Sequence, residues 1–528
     1  MSLSFRSSPL VLITLSAILA TLTACEKPAP SVSTPKPKAT PADVQANIQW
    51  HEGNVEKAFE EARKTGKPLL MYWGAVWCPP CNRLKVTTFK DQAFIAQTQQ
   101  FVAVHLDGDS EEAQSAGDRF GVKGYPTIVM LRPDGTEITR VIGDNTTAQL
   151  IQSLRAATQL NISTKQLLNV ALKNPSSLKH DEWALLSNYG WLLDNRLVDP
   201  NDAPGVLSKL AKTAPEPHLQ RRFGLLAVLV ATQKPAATPA ANTLLRTVIA
   251  DPSDVRANLH LLNSGAATLV ASAANDAGER ATLSSALNRA LAQAYADPSL
   301  PIVDRLSTSS ALIELAQLAQ GKNATSDPSG PQPSLPASVV ETVHERVRWA
   351  LSAAKTAEER QATVERAGGL LVEVGDTTGA EHLLLAELGR SKTPSYYMPY
   401  LGQLAEMRGD SKSALSWFKK AYETPGSQGT LVQRGVAYLD TLIRLSPDDA
   451  DRIEAVATQV IGDLAEQTDG YLRDNRQHFD PVGASLQSWS KQHQAQGTAV
   501  LARVRQKAQV TCGRKTDCAA WLGKAPAA

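Results

Sequence analysis

In "WCPPC", residues 77–81, two thiols stand three positions apart in a chain of 528 residues that holds only three other cysteines. Cysteine chemistry runs through the thiolate, which attacks disulfides, binds soft metals and closes covalent staples. The spacing alone admits a redox couple, a metal site or a structural staple. A loop this small restricts the unfolded chain little, which counts against a staple. A mononuclear zinc centre wants four ligands, and no second Cys/His cluster lies nearby in sequence. No metal site is therefore expected, with copper(I), content with soft thiolates, left as a minor use. His51 and His105 are lone histidines, read as structural residues on a loop and a strand.

The pair needs rigid elements on both sides. Residues 54–65, "NVEKAFEEARKT", place apolar positions at helical spacing behind a capping Asn54, and "GKP" ends that element. "PLLMYW" reads as a buried strand, after which the cysteine turn opens a helix. "FVAVHLD" at 101–107 gives a second strand and residues 109–120 an acidic helix. "PTIVML" at 126–131 is a third strand, "RPDGT" a hairpin turn and "EITRVIG" a fourth strand, before a helix over 147–158. The alternation is that of an α/β fold with parallel and antiparallel parts.

A Cys-x-x-Cys directly after a central strand, with "GYPT" before the later hairpin, resembles the thioredoxin family. The likeness runs over roughly residues 50–158 and is greatest to the branch holding the C-terminal domain of the periplasmic transmembrane thiol reductase. It implies an α/β thioredoxin fold over 47–159 and a thiol:disulfide oxidoreductase, reductase or isomerase, acting on protein thiols and disulfides. Cys78 would be the attacking thiolate at a helix start, where unpaired N–H groups and the helix dipole favour negative charge. Cys81, one turn on, would resolve the mixed disulfide. Pro79 and Pro80 cost little in a first helical turn and stiffen it. The resemblance further implies a cis Pro126 facing the cysteines, with Tyr125 beside it, and gives Trp77, Pro79, Pro80, Tyr125 and Pro126 to substrate binding. The chain departs from many thioredoxins at Tyr72, six residues before the first cysteine. A buried Asp stands there in the family, so its pKa pattern and potential are not carried over.

Residues 1–24 read as a signal peptide: Arg6, then the apolar "PLVLITLSAILATLTA", too short and weakly flanked for a spanning helix. Leu22, Thr23, Ala24 and Cys25 resemble the bacterial lipobox, which implies acylation of Cys25 and a lipid anchor in the inner or outer membrane. Residues 25–46, rich in Pro, Lys, Ser and Thr, suit an extended tether, about 3 Å per residue. A periplasmic location follows, and there the remaining cysteines sort as Cys78 with Cys81 and Cys512 with Cys518. The net charge of +2 gives no sign of nucleic acid.

Beyond residue 160 the chain is rich in Ala and Leu with helical spacing almost throughout, as in "DEWALLSNYGWLLDN" and "LSSALNRALAQAYA". The expected division is a helical domain over 160–320, a low-complexity linker at 321–338 and a second helical domain over 339–528. Gly368, Gly375, Asp376 and Ala380 recur 34 residues later as Gly402, Gly409, Asp410 and Ala414. That period, with "YLGQLAEMRGDSKSALSWFKKA", resembles the tetratricopeptide consensus, so an all-α repeat array offering a groove to partners is expected. Cys512 and Cys518 suit a structural disulfide in the tail.

The sequence thus points to a lipid-tethered envelope oxidoreductase with no cofactor beyond its dithiol, serviced by a membrane or periplasmic redox partner. An envelope co-chaperone or adaptor on a thioredoxin fold is the alternative, and copper delivery a minor one.

Overall fold

The computed structural model describes residues 47–76, 78–143, 145–160, 162–231, 237–321, 335–391, 393–425, 428–467, 473–512 and 519–523. The signal peptide, Cys25, the tether, Trp77, Cys518 and most of the expected linker lie outside them. Ala46–Ala528 form one compact unit.

Its N-terminal part is a five-stranded sheet: β1 (Trp50–Glu52), β2 (Leu69–Gly74), β3 (Val102–Asp107), β4 (Thr127–Leu131) and β5 (Glu137–Ile142), in the order β1-β3-β2-β4-β5. β1, β3 and β2 run parallel, whereas β4 is antiparallel to β2 and to β5. Five helices cover the sheet: α1 (Val55–Thr65), α2 (Pro79–Val86), α3 (Gln92–Thr98), α4 (Glu111–Phe120) and α5 (Thr147–Gln159). Central β2 is buried along its whole length, which is why it reads as an unbroken apolar run. Its side chains alternate between two cores. Leu70 and Tyr72 pack with Phe94, Leu150 and Leu154, while Leu69, Met71 and Trp73 pack with Phe59, Ala62 and Ala113. Asn54 caps α1 by accepting from Lys57 N at 3.0 Å, and Gly66, at φ 72°, ends it.

Two elements escaped the sequence. Residues 50–52 form an edge strand, so His51 lies in β1 and not on a loop. There it pairs with Glu61 at 3.1 Å, while His105 on β3 pairs with Glu52 at 2.7 Å. α3 is too short for a helical period to show, and its start is set by Asp91, which accepts from Ala93 N and Phe94 N.

After α5 the described chain is all helical, from Thr164–Lys173 to Gln494–Cys512. The segment "DEWALLSNYGWLLDN", expected as one helix, ends its helix at Ser187. Gly190 lies so close to Ile142 of β5 that a Cβ there would come within 2.9 Å of the Ile142 Cβ. The following residues turn toward the sheet accordingly.

The 34-residue spacing has a repeating geometry. Helices Ala357–Glu373 and Thr377–Leu388 form one hairpin, Met398–Met407 and Ser411–Glu423 another. Gly375 and Gly409 take left-handed φ values of 84° and 76°. Asp376 N donates to Leu371 O at 2.8 Å, and Asp410 N to Ala405 O at 2.9 Å. Asp376 and Asp410 each cap the second helix, through Gly379 N at 2.7 Å and Ser413 N at 3.0 Å.

The two parts pack together. α5 sends Leu150 and Leu154 into the sheet core, while Ala156 joins the helical core around Trp183 and Phe223. Helix Ala357–Glu373 lies against α2, which brings helical residues to the cysteine turn.

Candidate active site

Cys78 and Cys81 are joined as a disulfide, their Cα atoms 5.2 Å apart. Cys78 is the N-cap of α2 in extended conformation, and its Sγ accepts from Cys81 N at 3.4 Å. Asn82 N donates to Cys78 O at 3.0 Å, the first bond of the helix proper. Pro79 and Pro80 fill the first turn, where their missing N–H groups leave no bond unmade. Both cysteines are buried, Cys78 at 3 % exposure and Cys81 fully, beside Ala75 and Tyr125. A thiolate released at Cys78 would sit at the positive end of α2, which favours the ionised form.

The Tyr125–Pro126 peptide is cis. Tyr125 donates its hydroxyl to Gly108 O at 3.1 Å, and Gly108 carries no side chain because a Cβ would overlap the Tyr125 ring. Thr127 Oγ1 donates to Gly124 O at 2.7 Å and Gly143 N to Pro126 O at 2.9 Å, which fixes both sides of the proline. The structure thus brings Cys78, Cys81, Pro79, Pro80, Tyr125 and Pro126 to one place.

Tyr72, on β2 beneath α2, is buried among Phe89 and His105, with ring centroids 4.9 and 5.3 Å away. Its hydroxyl lies over Gly74 and has no hydrogen-bond partner among the described residues. Burial, and then Asp107, push its pKa above the ordinary phenol range. Burial lowers the Lys85 ammonium, opposed by Asp107, Glu52 and Asp109.

Sequence reasoning missed the groups that reach this site from the helical part. Gln361 and Asn82 both donate to Val76 O, the Asn82 contact at 2.8 Å. Arg83, one turn into α2, pairs with Asp304, its Nη2 lying 2.7 Å from Oδ2, and donates to Asn145 O at 3.0 Å. Tyr396 donates to buried Asp109. No local pattern marks these partners, which stand hundreds of residues away.

Among the described residues no cluster of three or more His, Cys, Asp or Glu side chains is disposed to hold a metal ion, and no helix is long and apolar enough to cross a membrane. Cys512, at the end of the last long helix, is held in a disulfide.

A dithiol at a strand-to-helix junction, opposite a cis-proline that opens an antiparallel hairpin, defines a thioredoxin-like domain. Residues 55–158 match the family model described as a thioredoxin-like domain. The chain is 31 % identical over 125 residues to thiol:disulfide interchange protein DsbD 1 of Pseudomonas aeruginosa, a stretch covering 23 % of this chain and 21 % of that protein. It is 30 % identical over 98 residues to the chloroplastic thioredoxin-like protein HCF164 of Arabidopsis thaliana, covering 19 % of this chain and 37 % of that one. The solved DsbH oxidoreductase aligns at 19 % identity and a TM-score of 0.21, over 24 % of this chain and 96 % of its own. The chain spans less than two fifths of the length of either curated relative.

Proposed function

We propose that the protein is a thiol:disulfide oxidoreductase of the periplasm, a reductase or isomerase, tethered to the envelope through lipid on Cys25. In this reading Trp77, Pro79, Pro80, Tyr125 and Pro126 form the substrate groove, and a tetratricopeptide-like helical array recruits partners. Cys512 pairs with Cys518 as a tail staple. The observation that carries the reading is the Cys78–Cys81 disulfide at the start of α2, beside the cis Tyr125–Pro126 peptide.

The chemistry is a two-step exchange. In the reduced protein the Cys78 thiolate attacks one sulfur of a substrate disulfide, forming a mixed disulfide and expelling the other sulfur as a thiolate that takes up a proton. Cys81, deprotonated, then attacks Cys78 Sγ, reforms the Cys78–Cys81 bond and releases the second substrate sulfur as a thiol. Two electrons pass from the dithiol to the substrate, and a dithiol partner must restore them. An isomerase would instead let a second substrate thiolate displace Cys78.

Insulin reduction by the purified protein in dithiothreitol tests this. Cys78→Ser is expected to reduce the rate to that of dithiothreitol alone, and pre-reduced Cys81→Ser, freed of dithiothreitol before insulin is added, to trap a mixed disulfide visible by mass. Undiminished turnover by Cys78→Ser would overturn the reading in favour of an adaptor, whose binding to unfolded clients would survive loss of both cysteines.

A further inference from the structure

Between the thioredoxin-like part and the helical part runs a cleft of about 1310 Å³. It begins at Pro79, Pro80 and Tyr125 beside the disulfide and extends past Leu192 and Leu193 to helices Pro217–Leu229 and Leu259–Ser264. Its volume exceeds the roughly 300–1,000 Å³ of typical small-molecule sites. Leu193, 59 % exposed, and Leu192, 42 % exposed, form an apolar lip.

Four arginines line the cleft. Arg83 faces Asp304, Arg256 faces Asp297 and Arg366 faces Glu373. Arg222 differs. It is only 6 % exposed, yet its partners are all neutral: Ser187 O at 3.0 Å, Asn258 Oδ1 at 3.1 Å and Ala257 O at 3.4 Å. No carboxylate pairs with it among the described residues, and its Nη2 makes no bond there. A buried cation without a counter-charge is costly, and an anion entering from the cleft would remove that cost. Two further polar groups stand at the same wall. The ring of His260 makes no hydrogen bond among the described residues, and burial, then Arg222 and Arg83, keep it neutral, leaving one N–H to donate. Asn263 lines the same wall, its shielded Oδ1 without a partner among the described residues.

We propose that this cleft receives an extended, cysteine-bearing peptide segment carrying acidic side chains, with a carboxylate bound by Arg222 and His260 and apolar neighbours against Leu192 and Leu193. A carboxylate matches a guanidinium fork. Helix Ala357–Glu373 packs against α2, and the cleft opens at the prolines of that same helix α2, Pro79 and Pro80. This substrate class rests on the disulfide-exchange reading above.

The test uses the full chain, reduced, and two decapeptides with one internal disulfide each, identical except that three Asp residues in one are Asn in the other. The expected kcat/KM is about tenfold higher for the acidic peptide, the size of one charge-assisted hydrogen bond. In Arg222→Gln that ratio falls to about one, and in His260→Gln it falls severalfold. A ratio of one in the parent protein, or a ratio unchanged in the variants, overturns the inference. Should Arg222→Gln not fold, the parent ratio and His260→Gln decide. Failure of the parent protein on a neutral dipyridyl disulfide would sink the oxidoreductase reading instead. Calorimetric binding of Cys→Ser versions of both peptides would then still decide the anion site, tighter binding of the acidic one supporting it and equal binding overturning it.

Discussion

Tyr72 occupies the place where the family's buried Asp is expected, and its surroundings bear on whether it can do that residue's work. A proton acceptor must give up its own proton first. Burial and Asp107 hold the Tyr72 phenol protonated far above neutral pH, so it is no base at physiological pH. Its hydroxyl is buried with no partner among the described residues, and a desolvated hydroxyl of this kind costs about 1–3 kcal/mol. The ring does the packing, between Phe89 and His105. Tyr72→Phe is therefore expected to leave insulin turnover within about twofold and to hold or raise the unfolding free energy measured in urea, by up to about 1 kcal/mol. A tenfold loss of turnover in that variant would show that the hydroxyl serves the cysteines. At this scale the sequence was informative where chemistry is local. Cys78 and Cys81 announce themselves because three-residue spacing sets their geometry, whereas Pro126 was legible only through the resemblance carried by "GYPT". Arg222 and His260 do not announce themselves, since a buried arginine with neutral partners looks like any other arginine in a helix.

The elements follow from patterns a few residues wide, and they were missed where the pattern is shorter than its own period. β1 spans three residues, and an edge strand of that length shows no alternation. The helix expected to begin at residue 109 begins at Glu111, because Ser110 accepts from Ala113 N at 3.2 Å and takes the cap. The 34-residue recurrence was legible because it is written in turn chemistry: a glycine needed for positive φ, then an aspartate that caps. Between the two hairpins lies a pH-sensitive contact. Tyr400 donates to Glu365 at 3.3 Å, and burial pushes the Glu365 carboxyl up to about 8. A carboxyl whose folded pKa lies above its unfolded value of about 4.3 stabilises the fold fully below that value and loses the contribution as pH rises toward 8. Thermal stability of the parent protein is thus expected to fall between pH 5 and 8, and Glu365→Gln to flatten part of that fall. Glu137, Asp194, Glu314 and Glu373, also raised by burial, act in the same direction. A Glu365→Gln profile parallel to that of the parent would refute the assignment.

For the whole molecule, the question is whether the redox part and the helical part behave as one body. Their contacts were invisible to sequence reasoning for a physical reason: Arg83 and Asp304 are 221 residues apart, Val76 and Gln361 285 apart, and nothing local couples such positions. Yet these contacts fall on α2, whose N-terminus carries the disulfide, and on the turn that leads into it. Arg83 and Asp304 are 12 % and 13 % exposed, and breaking a buried pair by removing one partner costs about 3–5 kcal/mol, because the other charge stays desolvated. Asp304→Asn keeps the shape and removes the charge, and Arg83 retains its bond to Asn145 O, so a cost of about 2–3 kcal/mol is expected. If α2 is held from the helical side, that loss appears in hydrogen exchange as faster opening of α2 and of helix Ile302–Ala319 together. The hairpins turning at Gly375 and Gly409 keep their protection. The paired replacement Arg83→Met with Asp304→Leu should recover most of the stability, since an apolar pair of similar volume removes the desolvation cost. Faster exchange confined to helix Ile302–Ala319, with α2 unchanged, would mean that the helical part neither steadies the redox helix nor shapes access to it.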